Sequence, residues 1–269
     1  MNNTPSIYFA SNELATSNGR YNKFRRRFGL CLAVASVLLL AAGPLAAETP
    51  IPEEGFVSLF DGKTLDGWKI GNNAELFSAH DGMIVMDCPA TNHSPAHLFY
   101  EGDVNGHKFK NFDLRVDVMT YPGANSGIYF HTKFQQSGFP RNGIECQVDN
   151  SHSDWRRTGS LYGILNLTWG PEKPSAAESK DVIFFNPPPV MDNVWYTQEI
   201  ICQNNSIKVK LNSQTVLEYK VADGDTEHKL PGGMNWLPEG TFALQGHPPM
   251  PDHISKACFK NIRIKILPD

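Results

Sequence analysis

The 269-residue chain carries 28 acidic against 24 basic side chains, a net charge of −4, with 41% hydrophobic and 11% aromatic residues. An acidic balance of this kind does not attract nucleic acid or anionic lipid, whereas a neutral ligand such as a sugar is indifferent to it. The length suits one large domain with a substantial core.

Residues 1–28 are polar and gather Lys23, Arg25, Arg26 and Arg27 near their end; the apolar run 30–42 follows, then Gly43-Pro44-Leu45-Ala46-Ala47 before Glu48. Basic region, short apolar run and small-residue close have the order of an export signal, and the run is short for a membrane span. Cleavage is expected after Ala47, leaving 48–269 as a single exported domain, periplasmic or extracellular, with no membrane contact. Arg25-Arg26-Arg27-Phe28 also has the form of a twin-arginine signal. Cys31 sits at the start of the apolar run rather than after it, which argues against a lipoprotein anchor. Five basic residues (Arg20, Lys23, Arg25, Arg26, Arg27) and one acid (Glu13) leave with the signal, so 48–269 holds 19 basic and 27 acidic residues, a net of −8.

Phe56-Val57-Ser58-Leu59-Phe60 reads as a short strand stopped at Asp61-Gly62, and the next turn brings Trp68 inward. Leu76–Ala79 and Met83–Met86 flank His80-Asp81-Gly82, a strong hairpin signal. Ala96–Tyr100 is a further strand. Phe112, Leu114, Val116 and Val118 alternate with Asp113, Arg115, Asp117 and Met119, a half-buried strand.

The most informative stretch is 125–149, two strands joined by the loop Ser137–Gly143. Alternation puts Ile128, Phe130 and Thr132 on one face of the first strand, with Tyr129 and His131 on the other. In the second strand Ile144, Cys146 and Val148 share a face, and Glu145, Gln147 and Asp149 line the opposite one. The expectation is a buried face and a polar row in which His131, Tyr129, Glu145 and Gln147 lie together.

Residues 151–161 then form a polar loop, and 170–180 and Pro187-Pro188-Pro189 are irregular. Such long loops are usually functional or flexible. Strands return at 195–202, 206–211, 215–219, 240–245 and 258–266, with Asn204-Asn205 and Asn212-Ser213 at tight turns. No helical stripe exceeds a turn or two and no internal repeat is visible. The fold expected is all-β, an antiparallel β-sandwich of the jelly-roll kind. Cys88, Cys146, Cys202 and Cys258 allow two disulfides in any of three pairings. Their apolar strand settings favour four small buried hydrophobes instead. No metal-site spacing occurs.

Taken together, Gly55-Phe-Val-Ser-Leu-Phe-Asp-Gly-Lys-Thr-Leu-Asp-Gly-Trp68, Asn111-Phe-Asp-Leu114, Asn125-Ser-Gly-Ile128, Glu145-Cys-Gln-Val-Asp149, Gly159-Ser-Leu-Tyr162, Leu244-Gln-Gly-His247 and Phe259-Lys-Asn-Ile262 resemble the 3-keto-disaccharide hydrolase domain family. That family is also described as 3-keto-glucoside 1,2-lyases and 3-keto-2-hydroxyglucal hydratases. The resemblance implies a concanavalin-like lectin/glucanase jelly roll, a ligand on the concave sheet face, and exported bacterial proteins acting on sugars oxidised at C3. The chain departs from the family pattern at His131 and Lys260, where Arg is frequent. It departs again at Tyr196 after Trp195 and at Ser213 after Asn212.

A ketone at C3 acidifies the C2 hydrogen. Loss of the C1 substituent then needs a base near C2 and a donor for the leaving oxygen, and addition of water reuses the same parts. Glu145, His131, His247 and Asp149 are the candidate catalytic groups. Asp149 has a second reading as the cap of the turn into Asn150-Ser151. A plain glycosidase pair on this strand is disfavoured. Glu145 and Asp149 are roughly 13 Å apart at about 3.3 Å per residue, beyond the roughly 5–9.5 Å that hydrolytic carboxyl pairs use. Asn125, Tyr129, Gln147, Tyr162, Trp169 and Gln245 are candidate substrate-binding residues, Trp169 having an alternative place in the core. His93, His97, His152, His228 and His253 form no recognisable cluster in sequence. The residues name no cofactor and leave a divalent cation open. The partner expected is a glycan or 3-keto-glycoside, and the competing reading is a non-catalytic carbohydrate-binding module.

Overall fold

A computed structural model describes residues 53–269, apart from 176–180, 222–228, 231–233, 236 and 252. The export-signal segment 1–47 therefore lies outside the described residues. The chain opens with β1 (Val57–Ser58), β2 (Trp68–Ile70), β3 (Phe77–His80), β4 (Met83–Cys88) and β5 (Ala96–Tyr100). The middle is β6 (Phe112–Thr120), β7 (Ser126–Thr132) and β8 (Ile144–Val148), followed by short β9 (Asn166–Thr168) and β10 (Val182–Phe184). Then come β11 (Tyr196–Gln203), β12 (Ser206–Leu211), β13 (Gln214–Lys220), β14 (Lys229–Leu230), β15 (Met234–Asn235), β16 (Thr241–Gly246) and β17 (Ser255–Ile266).

Two antiparallel sheets make the sandwich. The larger runs β13-β12-β11-β6-β17-β4-β3 with β1 on β17, and the smaller runs β2-β5-β16-β7-β8. Between them the alternating apolar residues meet. Phe112, Leu114, Val116 and Val118 from β6 pack in one core with Ile128, Phe130, Ile144, Cys146, Val148, Phe242 and Leu244 from the smaller sheet. Each such large side chain contributes about 1.5–3 kcal/mol when fully buried. The all-β jelly-roll expectation is met, with strands where alternation and turn residues put them. The Asp81-Gly82 turn takes positive φ at both residues (52° and 79°), as a two-residue hairpin of right-handed twist requires. Asn212 and Ser213 do the same between β12 and β13 (49° and 69°). The four cysteines Cys88, Cys146, Cys202 and Cys258 are buried free thiols. Among the described residues no helix is long and apolar enough to cross a membrane.

β7 departs from its sequence pattern at one point. Thr132 pairs with Thr241 and Tyr129 with Ala243, so Phe130 and His131 together stand opposite Phe242 alone. This is a β-bulge, with His131 at φ 51°. A bulge inserts a residue and ends the period-2 alternation. Tyr129 keeps the outer face, while His131 is turned away from it.

Candidate functional site

The outer face of the smaller sheet, opposite the main core, carries His97 and Phe99 from β5, Tyr129 from β7, Glu145 and Gln147 from β8, and Ala243 and Gln245 from β16. Cross-strand pairing places Tyr129 opposite both Glu145 and Ala243, and His97 opposite Gln245. Phe99, Tyr129 and Ala243 form a small apolar cluster of their own there, with Phe134 against it.

Glu145 is the centre of this face. Tyr129 Oη donates to its Oε2 at 2.8 Å, and Gln245 Nε2 donates to its Oε1 at 2.8 Å. The Gln147 amide, turned so that its nitrogen donates, reaches Glu145 Oε1 at 3.2 Å and the Ser126 carbonyl at 2.8 Å. Room for the carboxyl is made by Gly127 on the neighbouring strand, where a Cβ would lie 2.3 Å from Glu145 Oε1. Every hydrogen-bond donor to this carboxylate is neutral. Burial therefore dominates and pushes Glu145 up to about 8, against the lowering pull of Tyr129 and Gln245. Tyr129 in turn is held well above the ordinary phenol range, chiefly by burial and then by the Glu145 charge.

The stretch after β8 folds back along that strand's free edge. Gln147 N–H donates to Ser160 O at 2.9 Å and Tyr162 N–H to Glu145 O at 3.0 Å, so Tyr162 flanks Glu145. Asp149 is fully buried. Its Oδ1 accepts from Arg157 Nη1 and from the His152 N–H, both at 2.9 Å. Burial pushes the Asp149 carboxyl up, while Arg157 and the His152 N–H pull the other way. Arg157 also donates to the carbonyls of His152 and Asp154, both at 2.7 Å, and to that of Trp169 at 3.3 Å. Asp149 thus caps the turn and, with Arg157, clamps the loop that carries His152 and Asp154.

That loop brings in groups the sequence did not single out. Asp154 Oδ2 accepts from Tyr162 Oη at 3.0 Å, and its Oδ1 accepts from Arg156 Nη1 at 3.1 Å. Asp154 N–H donates to His152 Nδ1 at 3.1 Å, so His152 carries its proton on Nε2 when neutral. His247 does the reverse. Its Nδ1–H donates to Pro248 O at 2.7 Å, leaving Nε2 as an acceptor. The His152 and His247 rings are 5.9 Å apart, and His97 meets Tyr129 edge-on at 5.3 Å. Burial lowers all three imidazoles, His97 to about 3 and His152 to about 4. Asn125 reaches His152 Nδ1 at 3.4 Å through Nδ2, while its own buried Oδ1 has no partner.

The expected site residues accordingly divide. Glu145, Tyr129, Gln147 and Gln245 converge, with Tyr162, His247 and Asn125 around them. His131 does not join them. The bulge turns its ring against Phe112 and Phe130, centroids 5.6 Å from each, and Nε2 donates to Lys110 O at 3.0 Å. Trp169 offers no stacking surface, because it is packed in the main core with Nε1 donating to Asn150 O at 3.3 Å. Asp149 is committed to Arg157. His97, His152, Asp154 and Arg156 are the additions. Nothing in the sequence links His97 to a loop some fifty residues away, whereas His152 and Asp154, two residues apart beside Arg156-Arg157, lie in the polar loop 151–161 whose composition marks it as functional or flexible. Among the described residues no three His, Cys, Asp or Glu side chains are grouped to hold a metal ion.

A two-sheet antiparallel jelly roll whose smaller sheet bears a polar site on its outer face is the class these features define. The chain belongs to the family of 3-keto-alpha-glucoside-1,2-lyase-like domains, matching it over residues 55–265. It is 25% identical to a 3-keto-disaccharide hydrolase of Bacteroides thetaiotaomicron, over 85% of this chain and 84% of that one. Two crystal structures from Parabacteroides distasonis, both of candidate glycosyl hydrolases, share the fold. One has a TM-score of 0.56 at 20% identity, covering 80% of this chain and 95% of the other. The second has 0.54 at 22% identity, covering 79% and 99%.

Proposed function

We propose that the protein is an exported enzyme that cleaves 3-keto-glycosides by elimination and hydration, with Glu145 as the proton-transfer group at C2. The observation that carries this reading is the buried Glu145 carboxyl, surrounded by neutral donors and raised to about 8. A C2 hydrogen beside a ketone is weakly acidic. A carboxylate of raised basicity removes it more readily than an ordinary one. Family membership and the name of the Bacteroides relative support the substrate class, and the export-signal order of residues 1–47 supports the compartment.

In this reading Glu145 takes the C2 proton, and the electron pair moves into the enolate at C3. Collapse of the enolate restores the ketone, forms the C1–C2 double bond and breaks the C1–O bond. The proton now on Glu145 passes to the leaving oxygen. Water then adds at C1 while C2 regains a proton, giving the free 3-keto sugar and the alcohol. His247 suits the hydration half, because its bare Nε2 can accept a proton from water. Tyr129, Gln245 and Gln147 hold the carboxylate, and Asn125 Oδ1 is an unsatisfied acceptor for a sugar hydroxyl.

The test is incubation of the purified protein with 3-keto-glucosides, following 2-hydroxy-enone absorbance and free 3-keto-glucose. Appearance of either supports the reading. A protein that binds glycans but turns over no 3-keto sugar would instead be a carbohydrate-binding module using the same face.

A further inference from the structure

We propose that Phe139, together with His97 and His247, forms an aglycone subsite that takes an uncharged ring, aryl or pyranose, on the leaving-group side of the site. The inference rests on the reading of this face as one that cleaves 3-keto-glycosides, and it adds which class of leaving group the protein selects.

Phe139 is 47% exposed on the loop between β7 and β8. An aromatic ring left in water on a loop is unremarkable alone, but this loop is held in place. Gln135 Nε2 donates to Phe139 O at 2.8 Å and to Ser137 O at 2.6 Å, while Arg141 N–H donates to Gln135 Oε1 at 3.1 Å. Asn72 N–H donates to Gln136 O at 2.7 Å, and Gln136 Nε2 to Asn72 Oδ1 at 3.0 Å, which ties the loop to the end of β2. At Gly71 a Cβ would lie 2.4 Å from Gln136 O, so the loop seats directly on that backbone. A ring presented on a fixed loop loses little freedom when a ligand stacks on it.

The ring is also connected to the site. Phe139 meets His97 at 6.0 Å and His247 at 5.7 Å, and His97 meets Tyr129 at 5.3 Å. Rings therefore run without interruption from the Tyr129–Glu145 pair outward to Phe139. The imidazoles in this arc are neutral at pH 7 because burial lowers them. The nearby charges at Asp154 and Arg156 are paired with each other. The rings themselves thus offer flat, uncharged surface, with the exposed Arg141 two residues along the loop from Phe139. Aryl faces and the C–H face of a pyranose are the complementary ligands.

The experiment compares methyl, phenyl and glucosyl 3-keto-glucosides as substrates of the parent, Phe139→Ala and Phe139→Trp. Substitution at an exposed position leaves the fold intact, and melting temperature checks this. Stacking of one ring corresponds to about a 3- to 10-fold change. Phe139→Ala should raise KM for the phenyl and glucosyl substrates by that factor, leave the methyl substrate unchanged, and be rescued by Phe139→Trp. Equal effects on all three substrates, or none, overturn the subsite. If the parent turns over no 3-keto sugar, the reading of the reaction fails separately. The subsite is then judged by calorimetric binding of phenyl against methyl glucoside. A selective loss in Phe139→Ala supports it, and equal affinities or no binding overturn it.

Discussion

The two sheets bury their inner faces alike, yet their outer faces handle carboxylates in opposite ways. On the larger sheet Arg115 on β6 reaches Asp113 at 3.0 Å and Glu199 at 3.2 Å, and Lys210 reaches Glu199 at 3.2 Å. Arg263 pairs with Glu53 at 2.9 Å, and that pairing holds Glu53 below its ordinary value. Each acid there has a cation within reach. On the smaller sheet the equally buried Glu145 receives only a phenol and two amides. A fold that balances charge on one face and withholds it on the other spends stability at the second face. The two faces therefore differ in whether a buried carboxyl has a cation or only neutral donors beside it.

The largest effect is expected from Glu145→Gln. The amide keeps the size and most hydrogen bonds but removes the proton acceptor. Turnover of a 3-keto-glucoside should fall about 10²–10⁴-fold, the usual worth of an acid–base group, and steady-state kinetics would show it. Near-parental turnover would make Glu145 structural and direct attention to His247. The parent should also gain activity as pH rises through about 8, where the carboxylate form appears. Stability should move oppositely. The folded state holds the Glu145 proton between the unfolded value of 4.5 and about 8, so it binds more protons than the unfolded state there. Its contribution is present below 4.5 and is lost as pH rises to about 8, with a limiting slope of about 1.4 kcal/mol per pH unit. Denaturant melts across that window should therefore favour Glu145→Gln over the parent increasingly at higher pH.

Next in size is the loop clamp. Arg157 is 1% exposed, and its loss would strand the buried Asp149 and three carbonyls. Arg157→Met should cost about 3–5 kcal/mol, as when one partner of a buried pair is removed. It should also lower turnover, because His152 and Asp154 lose their support. A variant that melts like the parent would show that the loop is held by other contacts.

How much of this was legible beforehand follows from the same physics. Strong alternation in β6 and the Asp81-Gly82 turn fix local structure by sterics and burial, which neighbouring residues report. Alternation puts Tyr129, Glu145 and Gln147 together for that reason, and Gln245 joins them through the family-like Leu244-Gln-Gly-His247. Alternation alone misplaces His131, because a single positive φ at the bulge reverses it and a histidine gives no such warning as glycine would. Trp169 and Asp149 belong to a loop whose path is set by the long-range partners of Arg157. His97, His152 and Asp154 meet across the fold through those same contacts, and no local period encodes them.

A third, smaller effect tests the charged face itself. Arg115 side-chain exposure is 27%, and its two sheet partners, Asp113 and Glu199, are nearly buried at 11% and 7%. Arg115→Gln should cost about 1–2 kcal/mol, between the values for exposed and buried pairs. It should leave turnover unchanged, since the residue lies on the opposite sheet from Glu145. A loss of turnover larger than twofold would couple the two faces and end the distinction between them.

The smallest expected effect is at Lys208, which pairs with Glu218 at 2.8 Å across β12 and β13. The pair is closer than Arg115 is to Asp113 or Glu199, but its side chains are 42% and 62% exposed. Water screens the attraction, and ordering two long side chains offsets what remains, so such pairs contribute about 0–1 kcal/mol. Lys208→Gln should therefore shift the denaturant midpoint less than Arg115→Gln does, and the shift should shrink further in 1 M salt, where the screening length is about 3 Å. Distance alone would rank the Lys208 pair above either of these Arg115 pairs. If Lys208→Gln costs as much as Arg115→Gln, burial is not what sets the worth of these charges, and the contrast drawn between the paired acids and Glu145 loses its physical basis.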